Sequence, residues 1–159
     1  MREKKVYTLA GELTTAQRYA VIGNADRFLK HKHAWKAWKL LKEFGCVTFP
    51  VASDLERLEG SKVYSDLTKL QDKIDVVVPC LRAEYIPDII AQAQAGGAKA
   101  IWFQERNWTP EFQEQADAAG IQIVRGCILK HKKYGRPFCF LNPCYWHGYK
   151  SPKAPKRGY

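Results

Sequence analysis

Five short apolar runs recur through the first 124 residues, each followed by a stretch with helical or turn signals. They are 19–23 (YAVIG), 46–51 (CVTFPV), 74–79 (IDVVVP), 98–104 (AKAIWFQ) and 121–124 (IQIV). Apolar runs, as opposed to strict apolar–polar alternation, mark strands covered on both faces, as in a parallel sheet. A repeat of roughly 25 residues leaves room for a crossover helix between neighbouring strands. The pattern predicts an α/β chain, a three-layer sandwich with a five-stranded, mostly parallel sheet.

The connections carry weaker signals. Residues 1–17 are polar, with a faint helical signal around Leu13–Arg18, and read as a lead-in against the sheet edge. The charge-dense 24–33 (NADRFLKHKH) reads as a loop, followed by a helix from Ala34 to Phe44. There Ala34, Trp35, Trp38, Leu41 and Phe44 share one face, and Gly45 stands past the end. Residues 52–61 read as a polar connection and 62–73 as a short helix capped by Ser65. The segment Ala83–Ala95 reads as a helix burying Tyr85, Ile86, Ile89, Ile90 and Ala93, stopped by Gly96-Gly97. The last helix is the best punctuated: Thr109 caps it, Pro110 fills its first position, Glu111 suits its positive end and Gly120 closes it.

Composition narrows the class. Hydrophobic residues make up 46% and aromatics 13% of the chain, too many for a disordered protein. No window approaches the ~18 consecutive apolar residues of a membrane span, and the charged start lacks the apolar core of a signal peptide. The expectation is a cytoplasmic protein with no membrane partner. Five cysteines, an odd number, do not form a small disulfide scaffold. Nine of the 26 Lys and Arg lie from Arg125 onward, with none of the 16 Asp and Glu. The first 124 residues therefore hold 17 basic against 16 acidic side chains, and the net charge of +10 is a property of the C-terminal segment. The division follows: residues 1–131 as the domain, 132–159 as a basic, aromatic extension whose last nine residues, SPKAPKRGY, are expected to be mobile.

In open α/β sheets ligands sit at the carboxyl ends of the strands. The first such end is Gly23, followed by Asn24, Ala25 and Asp26. The dinucleotide fingerprint G-x-G-x-x-G is absent, which leaves an oxidoreductase on this fold as the weakest functional reading. Arg27, Lys30, Lys32, His31 and His33 form a basic cluster suited to phosphates or simply to a solvated loop, with Lys62 a further candidate. Arg82 follows the third strand, where a ligand contact and an ion pair with Glu84 or Asp88 are compatible roles. Trp35 and Trp38 offer either an adenine stack or helix-face packing.

Four segments, in order and at matching spacing, are similar to the small single-domain CoA-binding proteins related to the CoA-binding domain of the succinyl-CoA synthetase α-subunit. They are AVIGNAD, FGCVTFPVAS, DVVVPCLRAEYIPDIIAQAQAGGAKAIWFQ and AGIQIVRGCILKH, within residues 15–131. The resemblance implies a Rossmann-like domain that holds CoA or acyl-CoA across the strand ends. It places Gly23, Asn24, Ala25 and Asp26 under the phosphates, with Pro50, Val51 and Ala52 beside the adenosine. Pro79, Cys80, Arg82 and Gln104 then follow the pantetheine arm. The chain departs from the family pattern at Ala25, where a serine is usual, and at Ala52-Ser53, where Asn-Pro is usual.

No Ser–His–acid or Cys–His–acid triad stands out, and no residue set reads as catalytic. The implied function is binding without evident catalysis. Cys127, Cys139, Cys144 and His147 lack the C-x2-C spacing of common zinc sites, so no metal is assigned. The extension interleaves Lys130–Lys133 and Lys150–Arg157 with Tyr134, Phe138, Phe140, Tyr145, Trp146 and Tyr149. It suits nucleic acid, through stacking, or a tail folded back on the domain with its aromatics buried, or a contact between copies of the chain.

Overall fold

Each apolar run has become a strand; the three inner strands are buried on both faces and the two edge strands only in part. The computed structural model describes residues 5–134 and 138–157. Strands β1 (Arg18–Ile22), β2 (Val47–Val51), β5 (Val76–Pro79), β6 (Ala100–Phe103) and β7 (Gln122–Arg125) form one sheet in the order β2-β1-β5-β6-β7. Every pairing is parallel. In β1, Tyr19 and Val21 enter one core layer while Ala20 and Ile22 enter the other. The first layer holds α1 (Ala25–Leu29) and α2 (His33–Glu43); the second holds α3 (Ile89–Ala95) and α4 (Pro110–Ala119). A short hairpin, β3 (Arg57–Leu58) with β4 (Ser61–Lys62), lies in the connection after β2.

The order reverses between β1 and β5. Chain growth proceeds from β1 outward to β2, then returns to β1's other side and continues to β7. Ile22 pairs with both Val51 and Pro79, so three strands end level with one another. Connections leaving β1 and β5 diverge there, which opens a crevice. Pro50 is tolerated because β2 is an edge strand, and Pro79 closes its own strand.

Several sequence expectations need correction. The charged segment 24–33 is not all loop. Asn24 accepts the Arg27 backbone N–H at 2.8 Å and starts α1, whose Phe28 is fully buried. The 62–73 segment forms only a 3-10 turn at Leu67–Leu70, and its cap is Asp66, not Ser65. The Ala83–Ala95 helix is divided: Ala83–Tyr85 is a single 3-10 turn and α3 begins at Ile89. Pro87 disfavours helical backbone at Ile86, which sits at φ −130°, ψ 47°. Tyr85, expected inside, is therefore exposed. No helix forms around Leu13–Arg18; Thr8 and Thr14 make an antiparallel bridge, and Leu9 and Leu13 are buried in the layer that holds Tyr19 and Val124.

The terminal nine residues are not loose as far as Arg157. The Ala154 N–H donates to the His131 carbonyl at 2.9 Å, Ala154 is buried, and the Arg157 N–H donates to the Glu43 carbonyl at 2.6 Å. His131, itself buried, contacts the Pro152 carbonyl through Nδ1. No helix among the described residues is long and apolar enough to cross a membrane.

Two positions yield direct tests of this packing. A Cβ on Gly23 would meet the Ala34 Cβ at 2.7 Å and Phe28 at 2.9 Å. Gly23→Val should therefore cost about 1–3 kcal/mol through overpacking, read as a lower urea midpoint. At the opposite end of the sheet, Arg18 forks onto Asp75, with Nε and NH2 both at 3.1 Å. That hydrogen bonding holds the Asp75 carboxyl below its ordinary 3.8. The stability it adds is present above that value and is lost as pH falls through the lower folded value. Urea unfolding across pH should show Asp75→Asn less stable than wild type at neutral pH, with the gap closing in acid.

Candidate functional site

The crevice at the β1/β5 reversal opens into a cavity of about 470 Å³. Its walls come from four strand ends. Arg27 belongs to α1, just beyond β1; Cys80, Leu81 and Arg82 follow β5; Gln104–Asn107 follow β6; and Cys127 follows β7. His33, at the start of α2, completes the lining.

Three guanidinium groups, Arg27, Arg82 and Arg106, face this space from separate segments. Arg82 is paired with Glu84 at 3.5 Å on the surface. Arg27 and Arg106 have no side-chain hydrogen bond or ion pair among the described residues. Glu105 is the one carboxylate among the described lining residues, and it is engaged: Lys130 Nζ lies 2.6 Å and His147 Nε2 2.7 Å from Oε1. Lys130 and His147 together hold the Glu105 carboxyl below its usual range. The balance of the cavity is cationic, which suits an anionic, phosphate-bearing ligand.

The polar groups behind the arginines are fixed by hydrogen bonds. Gln104 Oε1 accepts from the Ile128 N–H at 2.9 Å and sits 2.9 Å from His33 Nε2. Because the amide oxygen can only accept, His33 carries its proton on Nε2. Burial pushes the His33 pKa down, so the ring is neutral at pH 7. Asn107 Nδ2 donates to the Pro79 and Leu81 carbonyls at 2.7 and 3.1 Å, tying the β6 loop to the β5 loop. Its Oδ1 is buried without a partner among the described residues. Such an orphaned acceptor in a cavity wall fits a ligand N–H. Neither Cys80 nor Cys127 is in a disulfide, and burial pushes the Cys80 thiol well up.

The residues nominated from sequence fall into four groups. Arg27, Cys80, Arg82 and Gln104 line the cavity together. Ala52 and Lys62 instead line a separate groove of about 880 Å³ beyond β2, with Arg57, Lys69 and Lys73. Pro50, Val51 and Pro79 belong to the sheet, and Lys62 Nζ lies 5.0 Å from the Tyr64 ring centre. The turn between has its own partners. The Gly23 N–H donates to Val51, the Ala25 N–H to Asp54 at 2.8 Å, and Asp26 pairs with Lys30 and Lys32 at 2.8 and 2.6 Å. Those two ammonium groups lower the Asp26 pKa to about 2. Trp38 is core, and Trp35 stacks on His31 at 3.8 Å with Nε1 on Glu59.

Sequence reasoning missed Glu105, Arg106 and Asn107. They follow β6 directly, so the strand-end rule that selected Arg82 covers them as well. As for the metal question, among the described residues no group of three His, Cys, Asp or Glu is placed to hold an ion, and the Cys144 side chain lies outside that set.

The same architecture occurs in known proteins. A hypothetical protein from Pyrococcus horikoshii OT3 is 30% identical, covering 70% of this chain and 77% of its own, with a TM-score of 0.63. A conserved hypothetical protein from Pyrococcus furiosus has the same TM-score at 24% identity, covering 69% of this chain and 93% of its own, and shows the shared fold. The Bacillus subtilis protein YneT is 24% identical over 118 residues, 74% of this chain and 86% of YneT. The family model described as CoA binding domain matches residues 17–133, a span that runs from the start of β1 past the last lining residue, Cys127. On that match the chain belongs to the CoA binding domain family.

Proposed function

We propose that the protein binds CoA or an acyl-CoA in the cavity at the strand ends. The carrying observation is the pair Arg27 and Arg106, two guanidinium forks without a partner among the described residues, facing one concave space. Planar forks match the paired oxygens of a diphosphate. In this reading Arg27 and Arg106 hold the diphosphate beside the Gly23–Asp26 turn. The pantetheine arm runs past Cys80 and Arg82 toward Cys127, and one of its amide N–H groups meets Asn107 Oδ1. Adenosine lies toward Pro50–Ala52, and its 3′-phosphate reaches the groove of Lys62, Lys69 and Lys73. Gln104 positions His33 and the Ile128 backbone, since its oxygen is already committed to both.

The described residues of the cavity supply a binding surface, and none of them forms an acid–base pair aligned for chemistry. His33 is half-buried with its proton directed at Gln104, and Glu105 is held by Lys130 and His147. Isothermal titration with CoA, dephospho-CoA and NAD tests the proposal. Binding of CoA, weakened for dephospho-CoA and weaker still for NAD, is the expected order. Absence of heat from CoA with folded protein refutes it.

A further inference from the structure

The extension folds back on the domain, yet it leaves its aromatic side chains outside. Lys153 Nζ donates to the carbonyls of Lys130 and Gly148, and Gly148 has no room for a Cβ against Lys130. Phe138, Phe140, Leu141, Trp146 and Tyr149 are nonetheless between 51% and 69% exposed. A tail that folded back only to complete the core would have buried these rings. Trp146 and Tyr149 lie stacked at 5.9 Å with Tyr145 edge-on to both, so the rings form a continuous ledge. Between the extension and α2 is a second cavity of about 410 Å³, on which Lys36, Lys39 and Lys132 converge with Trp35, Tyr134 and Asn142. Asn142 adjoins Leu141 in the chain, so cavity and exposed rings share the segment 138–142.

We infer that this face, comprising the cavity between α2 and the extension and the aromatic ledge beside it, binds single-stranded nucleic acid. Of the large exposed hydrophobic side chains among the described residues of the extension, all but Leu141 are aromatic, which favours flat bases over an aliphatic peptide face. The segment from Arg125 onward has nine basic and no acidic residues, so the charge complement is a polyanion. Lys36, Lys39 and Lys132 neutralise phosphates, a base enters beside Trp35 and Tyr134, and following bases stack on Phe138, Trp146 and Tyr149. The site shares no lining residue with the cavity at the strand ends.

Fluorescence anisotropy with labelled oligo(dT) or oligo(rU) of about twelve nucleotides tests this, a length within the usual site sizes. The single strands should bind at low salt and the matching duplex at least tenfold more weakly. Phe138→Ala with Tyr149→Ala, which removes two exposed rings and should leave the thermal midpoint unchanged, is expected to weaken binding about tenfold or more. Lys36→Ala with Lys39→Ala should reduce the slope of log affinity against log salt by about 0.7 per lysine. Saturating CoA should leave oligonucleotide binding intact. The inference is overturned if folded protein binds no single strand, if the ring variant binds unchanged, if CoA competes, or if poly-glutamate binds as tightly as oligo(dT).

Discussion

Arg27→Ala combined with Arg106→Ala is expected to keep the fold and to weaken CoA binding about 100-fold. A tenfold loss corresponds to about 1.4 kcal/mol, a modest value for one charge-assisted phosphate contact, and two sites are removed. The fold should survive because neither guanidinium is bonded to another described side chain, and neither residue is in the core. Lysine at both positions should recover only part of the loss, since an ammonium replaces the charge but not the planar fork. Titration calorimetry of the wild type and the two double variants, with urea unfolding as the control, measures this. Unchanged affinity in the double alanine variant would move the diphosphate away from this cavity.

Trp102→Ala should cost about 3–5 kcal/mol of stability, the usual range for emptying a buried aromatic site. Trp102 is fully buried on β6, one strand in from the sheet edge, and its Nε1 donates to the Gly126 carbonyl at 2.8 Å. His131, which anchors the returning extension, lies edge-on to its ring at 5.5 Å. The indole thus supports both the core and the loop that delivers Cys127 to the cavity. Against a total stability of about 5–15 kcal/mol, such a loss leaves a marginal protein. Trp102→Phe keeps one ring in the core while losing the rest of the indole and its hydrogen bond, so it should cost less, about 1–3 kcal/mol. Urea midpoints rank the three proteins. A Trp102→Ala protein as stable as Trp102→Phe would show that the indole is not the support described.

The sheet was readable because its strands are apolar on both faces: Tyr19 and Val21 need one covered layer, Ala20 and Ile22 another, and only a three-layer arrangement satisfies both. The best-capped helix was equally plain, and Thr109 does accept the Phe112 N–H at 3.1 Å, with Gly120 left-handed at φ 71°. Local charge obscured α1, where Phe28 is the one buried anchor in a basic stretch. Pro87 carried a signal that periodicity overruled, and the single turn at Ala83–Tyr85 followed. Among the cavity-lining residues, Arg82 was nominated from its place after a strand end, Arg27 from the basic cluster and Gln104 from the family resemblance, while Arg106 and Asn107 satisfy the strand-end rule and were passed over. A folded-back extension was among the sequence readings, but its contacts were not legible because they join segments with no shared pattern, His131 with Pro152 and Gly148 with Lys130.

Backbone amide shifts of the isotopically labelled protein, followed by NMR during titration with CoA, test the central claim most directly. The account predicts that the largest shifts map to Arg27, Cys80–Arg82, Gln104–Asn107 and Cys127, the loops that leave β1, β5, β6 and β7. Shifts confined to other faces of the domain, with these loops silent, would contradict it.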